Sequence, residues 1–260
     1  MTLAFDDLGG TDPAVVLLPM FAMTRTATAA AFRPALAGSG LRQLYPDLPG
    51  HGDSPAGCPP EAEAVLDTMA TWIEQRAGGP VLLAGGSYGG YLAAGIARRR
   101  PALVRGLLLV CPGVTIDADS RDLPPAGPAP ALPGWLDAVP DTLRGHLDMA
   151  LGRRTPEVAR TVLDAITPLD HGDEAFRREL REGPRRALPD EDADVTFEGP
   201  VAVITGRQDR IVGYADQFRA MRHYPHGSFT VIDEAGHYLP YEQPEALKAT
   251  VDEWLRRALR

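Results

Sequence analysis

The stretch Gly85-Gly86-Ser87-Tyr88-Gly89 sets a serine between glycines two positions away on either side. This is the G-x-S-x-G pattern of a nucleophile elbow, and the chemistry explains the spacing. A serine oxygen is lifted clear of a sheet only where the chain turns sharply from strand to helix, which forces the serine into sparsely populated dihedrals. Strand and helix then approach so closely that the flanking residues must lack side chains. The first turn of the helix aims N–H groups at any anion that forms there. A serine hydroxyl is a weak nucleophile, so it needs a base within hydrogen-bond reach and a carboxylate to hold that base.

Six histidines compete for the base. His51 sits in "PGHGDS", His146 and His171 fall in the long middle segment, and His223 and His226 flank a turn before the last strand candidate. His237, in "VIDEAGHYLPYEQPE", alone occupies a loop after a late strand, as the chain order Ser, acid, His requires. For the acid, Asp209 in "VITGRQDRIVG" follows a strand and a glycine on the same carboxyl edge of the sheet. Asp233 and Glu234 are close to His237 in sequence, but a strand end points them away; Asp117, after an earlier strand, is the remaining alternative.

The elements that must position these groups follow from the apolar pattern. Short apolar runs at 15–19, 41–46, 81–85, 107–112, 201–206 and 229–233 read as strands. Helix patterns lie between them at 24–37, 64–77, 88–100, 214–223 and 244–259. In the last of these, Leu247, Val251, Trp254, Leu255 and Leu259 share one face. Strands alternating with helices predict an α/β fold with a mostly parallel sheet and helices on both faces.

The alternation breaks once. After the strand at 107–112 comes the proline-rich "DLPPAGPAPALPG" (122–134), too stiff for a helix and too poor in donors for a sheet. Helical patterns follow at 135–151, 155–166, with Thr155 as N-cap and Pro156 in the first turn, and 173–182. The segment reads as an inserted helical cap over 116–195, with 1–115 and 196–260 forming one core domain.

The chain of 260 residues has a net charge of −9, which argues against nucleic acid as a partner, since phosphate binding needs clustered Lys and Arg. The runs Arg98-Arg99-Arg100 and Arg256-Arg257 fall at helix ends, where they complement the helix dipole. Cys58 and Cys111 have no metal-site or disulfide spacing. No apolar run approaches the roughly 18 residues of a membrane span, and no signal peptide is apparent, so a cytoplasmic protein is expected, monomeric or homodimeric.

Together "DLPGHGDS" (47–54), "GGSYGG" (85–90), "GRQDRIV" (206–212) and "EAGHYLPYEQPE" (234–245) make the chain resemble the α/β-hydrolase superfamily, over about 1–115 and 196–260. The resemblance implies an eight-stranded, mostly parallel twisted sheet, a catalytic triad of Ser87, His237 and Asp209, and a cap roofing the pocket. It makes His51 a loop-shaping residue. No metal or organic cofactor is implied.

One feature departs from the family, whose members usually carry His-Gly in the oxyanion loop after the first parallel strand. Here Pro19 and Met20 stand in that place; Pro19 has no N–H, and Met20 adopts positive φ less readily than glycine. The expected oxyanion donors are the backbone N–H groups of Phe21 and Tyr88. Met20, Met23, Trp135 and Tyr238 are the candidate substrate-binding residues, and Leu136, Leu143, Leu147 and Met149 are further cap residues that line a pocket or pack the core. The expected activity is a serine hydrolase acting on an ester, thioester, lactone or activated C–C bond of a small-to-medium apolar acyl compound. The alternatives are an acyltransferase or cyclase, a lyase or a cofactor-free oxygenase on the same scaffold, and a binding protein that retains the three residues as a relic.

Overall fold

The computed structural model describes residues 2–125, 130–167 and 172–260. Seven strands pair into one sheet: β1 (Phe5–Asp7), β2 (Thr11–Leu18), β3 (Leu41–Pro46), β4 (Val81–Gly86), β5 (Val104–Val110), β6 (Val201–Gly206) and β7 (Gly227–Ile232). Their spatial order is β1-β3-β2-β4-β5-β6-β7, and every pairing is parallel except the edge pair β1–β3. The eight-strand expectation is therefore corrected to seven among the described residues. All six apolar runs became strands. The seventh, Phe-Asp-Asp at the sheet edge, is short and largely polar, so it carries no hydrophobic period by which to find it.

Successive residues of each central strand feed two separate cores, which is why these strands are apolar at both parities. Val16, Leu18, Leu83, Leu107 and Val203 pack with α2 (Ala62–Ala77) and α3 (Ser87–Arg99) on one face. Val15, Leu17, Leu82, Leu108 and Ile204 pack on the other with α1 (Arg25–Leu36) and α9 (Pro244–Ala258). The buried stripe of α9 is Leu247, Val251, Trp254, Leu255 and Ala258. Leu259, expected on that stripe, lies past the helix end and is 42% exposed.

Between β6 and β7 lies α7 (Ala215–Ala220), and between β5 and β6 run α4 (Asp141–Ala150), α5 (Pro156–Ile166) and α6 (Glu174–Glu182). Thr155 caps α5 through its side chain, and Asp173 does the same for α6. The helix expected from residue 135 begins only at Asp141, because Pro140 disfavours helical backbone in the residue before it and stands at the N-cap. These helices bury their own apolar cluster, including Leu147, Val158 and Val162, against Met20, Met23 and Tyr238 of the sheet's carboxyl edge. Residues 126–129 of the proline-rich connector and His171 lie outside the described residues.

The basic end of α3 does more than face a dipole. Arg98 and Arg99 both bind Asp190, which follows α6, at 2.8 and 2.5 Å, and Arg99 also reaches Glu63 of α2. The chain leaving the inserted helices is thereby fastened to the helix that carries Ser87. Among the described residues no helix is long and apolar enough to cross a membrane.

Candidate active site

β4 delivers the chain to Ser87 in the left-handed region, at φ 48°, a strained value for a residue with a side chain. The flanking glycines show what enforces it. A Cβ on Gly85 would run into the backbone of Gly89, and one on Gly89 would run into the carbonyls of Leu18 and Pro19 at the end of β2. Strand β4, helix α3 and the β2 loop thus meet backbone to backbone, and Ser87 is held at their junction.

His237 reaches it from the loop after β7. Its Nε2 lies 2.9 Å from Ser87 Oγ and its Nδ1 lies 2.9 Å from Asp209 Oδ2. Asp209 is fully buried just beyond β6, where its Oδ1 accepts the backbone N–H groups of Ile211 and Val212 at 2.9 and 3.0 Å. One carboxylate oxygen is fixed by the turn and the other is left for the imidazole. The competing acids face elsewhere. Asp233 accepts from Gln208 at 2.7 Å, and Asp117 binds Ser120 and Arg186.

The loop after β2 accommodates its unusual sequence by moving the demanding conformation downstream. Met23 N–H closes a turn on Met20 carbonyl at 3.0 Å, and the positive φ falls on Ala22, at 63°, instead of on Met20. The Met20 side chain lies over Gly86, where any Cβ would crowd it. Phe21 sits edge-on to the rings of Tyr88 and His51 at 5.6 and 5.1 Å. Tyr88 is the second residue of α3, so its N–H has no partner within the helix.

A cavity of about 500 Å³ opens over Ser87 and His237. Met20, Phe21, Met23, Tyr88 and Tyr238 line it, joined by Leu143 of α4. Trp135 does not: it packs against the inserted helices with the Arg154 guanidinium 5.4 Å above its indole. Leu136 packs in the same cluster, Leu147 is fully buried there, and Met149 is 39% exposed.

The other histidines are scattered. His51 is buried and its Nδ1 is 2.8 Å from Pro49 carbonyl; burial presses its ionisation down to about 4, so it is neutral at pH 7. His223 and His226 lie near Asp194 and Glu198, away from the cavity over Ser87.

Two polar neighbours of this cluster stand out: His146, weighed in the sequence only as a competing base, and Glu242, which the sequence did not single out. His146 of α4 lines the cavity with its Nε2 2.9 Å from the Tyr238 hydroxyl, and burial, then the nearby His237, lowers its pKa. Glu242, the last residue of the short helix α8 (Leu239–Glu242), is fully buried. Its Oε1 accepts Gly236 N–H at 2.9 Å, while Oε2 accepts Gly152 and Arg153 N–H at 2.7 and 2.8 Å. His237 N–H in turn donates to Ala150 carbonyl at 2.6 Å. The end of α4 and the histidine loop are therefore clamped together behind the imidazole. Burial pushes the Glu242 carboxyl up to about 7 against the lowering effect of its three N–H donors, with Asp209 adding repulsion. The only sequence signal was an acid among Leu, Pro and Tyr.

Residues 15–250 match a profile of the alpha/beta hydrolase family. A pimeloyl-[acyl-carrier protein] methyl ester esterase of Neisseria meningitidis is 28% identical over 219 residues, 78% of each chain. Lipase LipV of Mycobacterium tuberculosis is 32% identical over 117 residues, 40% of this chain and 45% of the lipase, so that match spans less than half of the relative. Among solved structures, an alpha/beta superfamily hydrolase from Oenococcus oeni PSU-1 superimposes with a TM-score of 0.83 at 24% identity, covering 98% of this chain and 96% of that one, a likeness of fold. A thermophilic esterase from Thermogutta terrifontis gives 0.73 at 26% identity, over 98% and 93%.

Proposed function

The chain belongs to the alpha/beta hydrolase family, and from that membership we propose that it is a serine esterase working through Ser87, His237 and Asp209. The observation that carries the reading is the unbroken relay of two 2.9 Å contacts from Ser87 Oγ through the imidazole to a buried carboxylate. As the serine oxygen attacks an ester carbonyl, its proton passes to His237 Nε2. Asp209 holds the ring by Nδ1 and stabilises the imidazolium. The oxyanion forms beside the N–H groups of Phe21 and Tyr88, where preorganised donors contribute most in a dry site. The imidazolium then protonates the leaving alkoxide, and water, deprotonated by the same histidine, releases the acid and restores Ser87.

Residues 116–195 act in this reading as the cap that roofs the cavity. Met20, Met23 and Tyr238 supply apolar surface for the acyl chain, which suits a small-to-medium substrate. The esterase and lipase among the relatives favour water as the second nucleophile over acyl transfer, lyase or oxygenase chemistry. The test is labelling with a fluorophosphonate, followed by turnover of p-nitrophenyl esters of increasing chain length. The expected result is one adduct on Ser87 and ester hydrolysis, both abolished in Ser87→Ala. Labelling that persists in Ser87→Ala overturns the assignment.

A further inference from the structure

Among the described residues the cavity over Ser87 is charged in one sense only: Arg121, Arg181 and Arg186 line it and no described aspartate or glutamate does, on a chain whose net charge is −9. The three come from separate places: Arg121 from the stretch after β5, Arg181 from α6, and Arg186 from the turn beyond it. Their convergence is thus a property of the folded cavity and not of one basic run.

Arg121 is the most committed of them. Its Nε, Nη1 and Nη2 donate to the carbonyls of Thr115, Ile211 and Ile116 at 2.9, 2.9 and 2.7 Å. A guanidinium has five N–H donors, so two remain, one on each terminal nitrogen. Among the described residues no carboxylate lies within ion-pair distance of it. Burial presses its ionisation down, and Asp209, Asp117 and Asp216 act on it only through space. Arginine stays charged in proteins nonetheless. The bond to Ile211, two residues from Asp209, sets the guanidinium on the acid side of the relay. Nearer solvent, Arg186 holds Asp117 loosely at 3.5 Å, and Arg181 pairs with its exposed neighbour Glu182 and lies 5.9 Å above the Phe21 ring.

A half-buried guanidinium with no carboxylate partner is costly unless something completes it. We propose that the substrate is an ester carrying a carboxylate remote from the scissile bond, that Arg121 binds this carboxylate, and that Arg181 and Arg186 draw it into the cavity. A planar carboxylate matches the spare N–H pair, and the apolar residues of the same cavity, Ile116, Leu143 and Val212 among them, accept the methylene chain that separates the two ends. The inference rests on Ser87 acting as an esterase nucleophile, and its test keeps the two apart.

The probes are monomethyl esters of straight-chain dicarboxylic acids, from succinate to sebacate, each paired with the neutral amide made from its free carboxyl. Binding to Ser87→Ala is measured by calorimetry, and wild-type turnover by titration of released acid. The carboxylate ester is expected to bind about 10- to 100-fold more tightly than its amide at one chain length or more, the range for hydrogen bonds to a charged group. It should show a similar advantage in kcat/KM, and Arg121→Gln should erase most of that advantage. Because Arg121 also ties two loops together, Arg121→Gln could fail to fold; the wild-type and Ser87→Ala comparisons then decide alone. Equal or weaker binding of the carboxylate at every length overturns the proposal and confines Arg121 to a structural tie. Preferential binding without turnover of any ester sinks the esterase reading while leaving the carboxylate site standing.

Discussion

Glu242→Gln separates the work of the buried carboxylate from that of its shape. In the wild type, two oxygens serve three backbone donors, Gly236 on one side and Gly152 with Arg153 on the other. Glutamine keeps one oxygen, so one side of the clamp meets an NH₂ group where it had an acceptor. Leaving one buried donor unsatisfied costs about 1–3 kcal/mol. An opposing contribution depends on pH. Burial raises the Glu242 carboxyl from 4.5 to about 7, so across that window the folded protein binds more protons than the unfolded chain. Stability is then highest below pH 4.5 and falls as pH rises towards 7. The shift from 4.5 to about 7 corresponds to about 3 kcal/mol, and glutamine, which does not titrate, lacks that slope. Urea unfolding of both proteins at pH 5 and pH 8 should therefore show the variant less stable at pH 5, with the gap closing or reversing at pH 8. A gap that stays constant or widens with pH would show that the three N–H bonds outweigh burial and would refute the reasoning. The clamp also sits one residue from His237, so kcat should fall about tenfold or more with KM little changed, by the sensitivity of catalysis to small misplacements.

Asp209→Asn should lower kcat by about three to four orders of magnitude while the fold persists, because the amide no longer fixes the imidazole tautomer; stopped assays on a p-nitrophenyl ester measure it. Gly89→Ala should destabilise the protein by about 1–3 kcal/mol, or more if the backbone cannot yield, since its Cβ meets the Leu18 and Pro19 carbonyls; thermal unfolding reads this directly. Asp190 is held well below the usual carboxylate range by its bonds to Arg99 and Arg98. Its contribution is thus present above its ordinary pKa and lost as pH falls below that value, so Asp190→Asn should destabilise at pH 7 and converge on the wild type in acid unfolding.

What could be read from the sequence divides along the range over which each constraint acts. The elbow is local: five consecutive residues hold the serine, the glycines that allow the approach, and the start of the helix. Likewise α9 announces itself through Leu247, Val251 and Trp254 at helical spacing, and Asp209 through a strand, a glycine and a turn. β1 is as short as the elbow but has no buried period, so nothing marked it as a strand. The clamp fails to show for a different reason. Glu242 meets Gly152 and Arg153 some ninety positions away, and no window of sequence contains both halves. Alone, a glutamate between Tyr241 and Gln243 reads as a solvated charge, and Gly152 as a loop glycine. Only when α4 and the β7 loop are brought together does each explain the other: the Cβ that Gly152 lacks would strike Ala235, and the amide it offers would otherwise be buried without an acceptor. His146 and Arg121 belong to the same class. Their setting comes from a cavity built by segments far apart in the chain, which is why the arrangement of Ser87, His237 and Asp209 was legible and the lining of the cavity around it was not.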